Sequence, residues 1–451
     1  MRDLTQGSIP MHLVGLAAPI AIGMLFQTLY YLIDLYFVAQ LGQAAIAGVS
    51  AGGNLQFLIM ALTQILGVGA MALIAHATGR RDQADANLIF NQSLLMAAAL
   101  GLLTLIGGYG LGAFYLRALA ADAATVEAGL DYLYWFLPGM ALQFALVAMG
   151  SALRGSGIAK PTMVVQMITV LCNAVLAPVL IAGWVTGHPM GVAGAGLASS
   201  LSIAFGVLLM SVYFLRLEKF VSFDAAQMRA QPAAWARILR IGLPPGGEFA
   251  LMFVYLGVMY TVIAPFGAEA QAGFGVGSRV MQAVFLPAMA IAFATAPLAG
   301  QNIGAGLPER ARQSFVAAAM IGSSIMVVLT LLCQWQPEWL VHGFTSDPAV
   351  VAVAALFLQT ISWNFVASGL IFTCSGMFQA FGNTLPALFS SGSRLLTFVI
   401  PAFWLASRDG FELRQLWWLS VASVALQALI SLGLLWREFT RRALLARPLP
   451  V

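Results

Sequence analysis

Laid on itself with a shift of 225 residues, the chain repeats. Pro19 falls on Pro244, and Gly42, Ala45, Ala47 and Gly48 fall on Gly267, Ala270, Ala272 and Gly273. Gly52 meets Gly277, Gly79 meets Gly304 and Ala86 meets Ala311. The run LRGSGIAKP, ending at Pro161, meets FQAFGNTLP, ending at Pro386, with Gly157 on Gly382. Single Gly or Ala matches arise by chance, but ordered blocks at one ungapped shift do not. Repeated halves in an apolar chain are the pattern of a secondary transporter, with a substrate site expected between the repeats.

The apolar character is decisive. Hydrophobic residues make up 61% of the chain and charged residues 8%, against about 25% charged in a soluble domain. That excludes a soluble globular fold and predicts an all-α polytopic membrane protein. Cys172, Cys333 and Cys374 are scattered through apolar runs, so neither a disulfide framework nor a metal site is expected. The first apolar stretch is too long for a signal peptide and has no cleavage site after it, so it is read as a retained helix.

A bilayer core of about 30 Å takes about 20 apolar residues per helix. Twelve runs qualify: 13–39, 46–74, 88–114, 130–153, 161–183, 190–215, 236–264, 270–300, 313–336, 349–380, 386–406 and 414–436. Pro138, Pro178, Pro287, Pro297 and Pro401 fall inside them, where a bend frees backbone groups. Arginine and lysine concentrate on one side, while only Arg117, Arg408 and Arg414 fall on the other. This bias places both termini in the cytoplasm. With six helices per repeat, the halves share one orientation and are related by a pseudo-twofold axis along the membrane normal. The expected divisions are an N-terminal lobe, 1–215, a cytoplasmic linker, 216–235, a C-terminal lobe, 236–437, and a basic cytoplasmic tail, 438–451.

Four stretches carry a resemblance: FQTLYYLIDLYFVAQLGQAAIAGVSAG from Phe26, ALRGSGIAKPTMVVQMITVLCNAVLAPVLI from Ala152, GVAGAGLASSLS from Gly191 and AGQNIGAGLPERAR from Ala299. In order and spacing they resemble the multidrug and toxin extrusion (MATE) family, above all bacterial members with an acid in helix 1. The resemblance covers nearly the whole chain. It implies twelve helices in two six-helix lobes in the bacterial cytoplasmic (inner) membrane, exporting drugs in exchange for H⁺ or Na⁺. The loop HATGRRDQAD is similar to a Gly-rich loop of the major facilitator superfamily, but lacks the acid before its GRR.

A charge in hydrocarbon is costly enough to need a reason, and four qualify: Asp34, Glu248, Arg279 and Arg394. Asp34 shares a helix face with Tyr31, Tyr30 and Gln27, three, four and seven residues earlier. Burial and phenolic hydrogen bonds act in opposite senses on a carboxylate's proton affinity. A carboxylate balanced that way holds a proton or a cation, and less readily both, which is the physical basis of antiport. The resemblance assigns the coupling role to this acid and turns Asn173 toward the same cavity. Where the family often has an aspartate, four residues after Asn173, this chain has Ala177, which weakens a Na⁺ site. Glu248 is expected near the membrane midplane, beside Arg279 or Arg394, as an ion-coupling group or a structural ion pair. Tyr31, Phe37, Trp135, Met140 and Trp363 are candidates for the cavity wall.

The expected function is secondary active efflux of cationic or amphiphilic organic compounds by antiport with H⁺, through alternating access. The alternatives are a Na⁺-coupled drug antiporter and a flippase for lipid-linked oligosaccharides of the same fold. No enzyme, cofactor, metal or nucleic-acid partner is expected, and the chain is taken to act as a monomer in the bilayer.

Overall fold

The computed structural model describes residues 2–119 and 122–445. Among these the protein is all helical, and twelve helices are long and apolar enough to cross a membrane. In the first half they are α1 (Ile9–Ala39), α2 (Gln43–Arg80), α3 (Gln83–Leu119), α4 (Ala123–Gly155), α5 (Lys160–Ile181) and α6 (Val192–Arg216). In the second half they are α7 (Pro232–Phe266), α8 (Ala268–Gly304), α9 (Pro308–Trp335), α10 (Pro348–Phe381), α11 (Leu385–Ala406) and α12 (Leu413–Leu445). Each predicted apolar run lies wholly or almost wholly within one of these helices. The helices run on past the apolar edges, because a helix end at the interface keeps its backbone bonds whether or not its side chains are apolar.

The chain forms two compact units. Among the described residues, one holds Arg2, Asp3 and Ala18–Leu243, and the other holds Leu4–Ala17 and 244–445. The unit boundaries therefore fall inside α1 and α7, next to Pro19 and Pro244, rather than in the connecting segment. Leu4–Ala17 is fixed within the second unit by the AGQNIGAGLPERAR stretch. Gln301 accepts from the Leu4 amide at 3.1 Å, Asn302 donates to the Leu4 carbonyl at 3.3 Å, and Arg310 donates to the Gly7 carbonyl.

The repeat extends to the backbone. Gly42 and Gly267 both precede a helix with positive φ (106° and 96°), Gly157 and Gly382 both turn the chain at 81° and 68°, and Arg81 matches Gly306 at 59° and 73°. These are the left-handed positions that end or begin helices at little cost for glycine. The shared glycines also set helix crossings. A Cβ on Gly48 of α2 would sit 2.6 Å from the Gly129 nitrogen of α4, and one on Gly273 of α8 would sit 2.5 Å from Val353 Cβ of α10. Small residues let helices approach closely where lipid supplies no hydrophobic drive for association.

Pro138, Pro178, Pro287 and Pro297 lie within continuous helices. Pro401 follows a π-helical turn, Leu395–Val399, which takes up the missing donor. Residues 438–445 of the expected tail continue α12, where Arg442 bonds Glu438 and the Phe381 carbonyl. The rest of that tail, 446–451, lies outside the described residues.

The segment between α6 and α7 is an ordered strap. Fully buried Gln92 donates to the carbonyls of Gln227 and Arg229 at 2.6 and 2.7 Å. Its carbonyl accepts from the Gln231 amide and the Trp235 indole at 3.0 and 2.9 Å. Asn91 donates to the Ser222 carbonyl and accepts from the Asp224 amide, while Asn87 accepts from the Ser222 amide. Side-chain amides of α3 thus supply the partners that an irregular backbone must find.

Candidate functional site

Asp34 lies in α1, four-fifths of the way along it, and its side chain is buried. Its carboxylate accepts one hydrogen bond per oxygen: from Asn173 Nδ2 of α5 at 2.7 Å and from Ser199 Oγ of α6 at 3.0 Å. Asn173 and Ser199 are fully buried. Both donors are neutral, and among the described residues no cation pairs with Asp34. Asn173 has a second feature of interest: its Oδ1 is buried and has no hydrogen-bond partner. Ala177, one turn further along α5, is fully buried and offers no oxygen ligand.

Next to this acid, on the same face of α1, Gln27 and Tyr30 line a cavity of about 130 Å³. Gln56, Gln143, Gln166 and Thr169 form much of the remaining polar wall, with Gln56 donating to Gln143 at 2.7 Å. The cavity carries amides and hydroxyls but no charge of its own. Phe136 and Met60 supply apolar wall, rather than Trp135 or Met140. Trp135 is half exposed and Met140 is packed in the core.

The partners of Asp34 differ from those expected. Helical spacing does align Gln27 and Tyr30 with Asp34, and both reach the cavity, while among the described residues the carboxylate's hydrogen bonds go to Asn173 of α5 and Ser199 of α6. The side chain of Tyr31 lies outside the described residues. Ser199 was not anticipated. It sits inside GVAGAGLASSLS, and the available signal was the hydroxyl pair Ser199 and Ser200 directly after the Gly- and Ala-rich start of α6.

The repeat provides an internal comparison. The 225-residue shift places Met259, Phe398 and Val424 opposite Asp34, Asn173 and Ser199. All three are buried. The same fold position is therefore filled stably by apolar side chains, so the polar trio of the first half is not a packing requirement.

In the second unit, Glu248 of α7 meets Ser391 of α11 at 3.5 Å through Oε2, while its Oε1 is buried without a partner. Gln427 of α12 donates to Ser391 at 3.5 Å. The expected ion pair is absent: no carboxylate lies within salt-bridge distance of Arg394 or Arg279 among the described residues. Arg394 instead lies on the Tyr255 ring, 3.9 Å from its centroid, with its Nε buried and unpartnered. Arg279 is exposed on α8. The reason is geometric: Arg394 follows Ser391 by three residues and Tyr255 follows Glu248 by seven, so the guanidinium is drawn to the ring one level beyond the acid. Among the described residues no group of three or more His, Cys, Asp or Glu could hold a metal ion.

Comparison with known proteins follows the same division. The sequence matches the MatE family twice, over residues 19–179 and 244–404, again at a shift of 225. The probable multidrug resistance protein YpnP of Bacillus subtilis is 26% identical over 86% of this chain and 86% of its own. The FAD transporter of Shewanella oneidensis is 23% identical over 90% of this chain and 91% of its own. A solved outward-facing multidrug resistance MATE transporter superposes with a TM-score of 0.90 at 24% identity, covering 97% of each chain.

Proposed function

The chain belongs to the MatE family of multidrug efflux transporters, and from that premise we propose that it exports cationic or amphiphilic organic compounds by antiport with H⁺, coupled at Asp34. The single observation that carries this reading is a buried carboxylate whose two partners are neutral donors, at a position that the other repeat fills with Met259.

The chemistry follows from donor and acceptor counts. An ionised carboxylate only accepts, which matches Asn173 Nδ2 and Ser199 Oγ. A protonated one must also donate, and the buried, unpartnered Asn173 Oδ1 is the acceptor that a half-turn of that amide would present. The two protonation states therefore favour two hydrogen-bond arrangements of α1, α5 and α6. A proton arriving from outside removes the charge that attracts a cationic ligand next to Gln27 and Tyr30. The ligand leaves, and the protonated carrier returns inward and releases its proton. Drug-sized pockets run about 300–1,000 Å³, so a cavity of about 130 Å³ takes only part of such a ligand before it widens. A hard cation such as Na⁺ asks for several oxygen ligands, preferably charged ones. Asp34, Asn173 and Ser199 supply few and Ala177 none, which favours H⁺. The excess of arginine and lysine on one side supports cytoplasmic termini in a bacterial inner membrane.

The named relatives include a multidrug protein and an FAD transporter, so membership alone does not select the cargo. The test is dye transport into everted vesicles, the direction that corresponds to export from the cell, wild type against Asp34→Asn, under an imposed pH gradient and then a Na⁺ gradient. Export driven by the pH gradient and lost in the variant is the expected result. Full activity in Asp34→Asn refutes the coupling role, and export driven by Na⁺ alone refutes H⁺ coupling.

A further inference from the structure

The wall of the first-unit cavity has a counterpart in the second unit. Under the 225-residue shift, Tyr30, Gln166 and Thr169 fall on Tyr255, Ser391 and Arg394. The fold thus brings together, at the equivalent place, an aromatic ring, a hydroxyl and a guanidinium where the first unit has a ring, an amide and a hydroxyl. Glu248 joins them through Ser391, and it replaces Gly23 of the first repeat.

An acid and a guanidinium are thus held in one small region without forming a salt bridge. Arg394 rests on Tyr255, whose hydroxyl is engaged with Ser420 at 2.9 Å. A ring face offsets only part of the cost of a guanidinium inside a membrane protein, and its Nε is left without an acceptor. Glu248 keeps one oxygen without a donor. A structural pair would have closed to salt-bridge distance. Arg394 lies about 4.5 Å along α11 from Ser391, the residue that meets Glu248, and Tyr255 lies about 10.5 Å along α7 from Glu248. Both groups sit deep. Glu248 is about 24 Å from the start of α7, near the middle of that helix, and Arg394 is about 14 Å into α11. Lipid headgroups lie at the faces of the bilayer, so a zwitterionic headgroup carrying the same two charges does not fit this depth.

We propose that Arg394, Tyr255, Ser391 and Glu248 form a second substrate subsite, specific for ampholytes, in which Arg394 takes a carboxylate and Glu248 takes an amine of the same small molecule. The fork of the guanidinium suits a planar carboxylate, and the Tyr255 ring offers a stacking face to an aromatic ligand. The subsite extends the cargo beyond simple cations, and it rests on the export reading only for the direction of transport.

The test uses two rhodamines with the same fluorophore, one with a free carboxylate and one as its ethyl ester, titrated by fluorescence anisotropy into purified full-length protein in detergent. Arg394→Gln is expected to weaken the acid by about tenfold or more and leave the ester unchanged, with Arg394→Lys retaining part of the affinity. Glu248→Gln removes the partner of the cationic nitrogen that both dyes carry and is expected to weaken acid and ester alike, with Glu248→Asp retaining part of the affinity. Unchanged ester binding in Arg394→Gln shows that this variant is folded. In Arg394→Gln, equal loss of acid and ester or loss of neither overturns the subsite, as does a wild type that does not bind the acid. Vesicle export separates the two readings. If Arg394→Gln discriminates the dyes in binding but wild-type vesicles export neither, the export reading fails and the subsite stands.

Discussion

Replacing Gln92 by leucine, which is close in size but makes no hydrogen bonds, tests whether the strap between α6 and α7 is held by one side chain. The substitution removes four hydrogen bonds of 2.6, 2.7, 2.9 and 3.0 Å to Gln227, Arg229, Trp235 and Gln231. At about 1 kcal/mol net for each, the strap loses about 4 kcal/mol. Where water reaches the released backbone, the loss falls to about 2 kcal/mol. Since about 1.4 kcal/mol is a factor of ten, the open fraction rises by about 30-fold to 1,000-fold. Trypsin reads this directly, because Lys219 and Arg229 lie in or beside the strap, and cleavage follows the open population when reclosing outpaces cutting. Gln83→Leu is the comparison. Gln83 also bonds the strap, to Lys219 and Phe220 at 3.2 and 3.0 Å, but it is exposed, so water replaces it and cleavage stays near the wild-type rate. If Gln92→Leu is cut no faster than Gln83→Leu, the argument from buried amides is wrong.

Gly48→Ala forces α2 away from the α4 backbone and is expected to cost about 1–3 kcal/mol in thermal unfolding in detergent. Gly107→Ala meets nothing within 4 Å and should be neutral or slightly stabilising, so equal melting of the two would refute the crossing. Ala177→Asp adds a carboxylate one turn from Asn173. Dye export by this variant is expected to respond to a Na⁺ gradient, and a folded variant indifferent to Na⁺ would remove the argument made from Ala177. Asp122 caps α4 by accepting from the Thr125 amide at 2.7 Å and its hydroxyl at 3.0 Å, which holds its carboxyl below the ordinary 3.8. The cap is therefore present above that value and lost as pH falls through the lower folded one. Hydrogen exchange at Thr125, corrected for intrinsic rate, should rise over that range and be raised at every pH in Asp122→Ala.

How much was legible beforehand differs between segments and sites. The twelve spans, the 225-residue repeat and the face shared by Gln27, Tyr30 and Asp34 all depend on distances along the chain. Length against bilayer thickness and position on a 3.6-residue period are local quantities, so one sequence contains them. The path of the segment 216–235 was not legible as an ordered strap. Its anchors, Gln83, Asn87, Asn91 and Gln92, are more than a hundred residues away and look like ordinary polar residues at a helix end. The missing salt bridge is a similar case: charge counting suggests that Glu248 seeks an arginine, yet the stagger of α7 against α11 gives Arg394 a ring instead.

By itself the sequence determined a twelve-helix membrane protein of two repeated halves, with an acid in its first helix at a position where the second half has Met259. Only the tertiary structure decided that Asn173 and Ser199, 139 and 165 residues from Asp34, are its partners. The physical reason lies in the solvent. In water, an apolar stripe reveals which face of a helix turns inward. In a bilayer the outside is as apolar as the inside, so the rotation of each helix, and with it the identity of every buried polar contact, is set by packing against neighbours that no local pattern names.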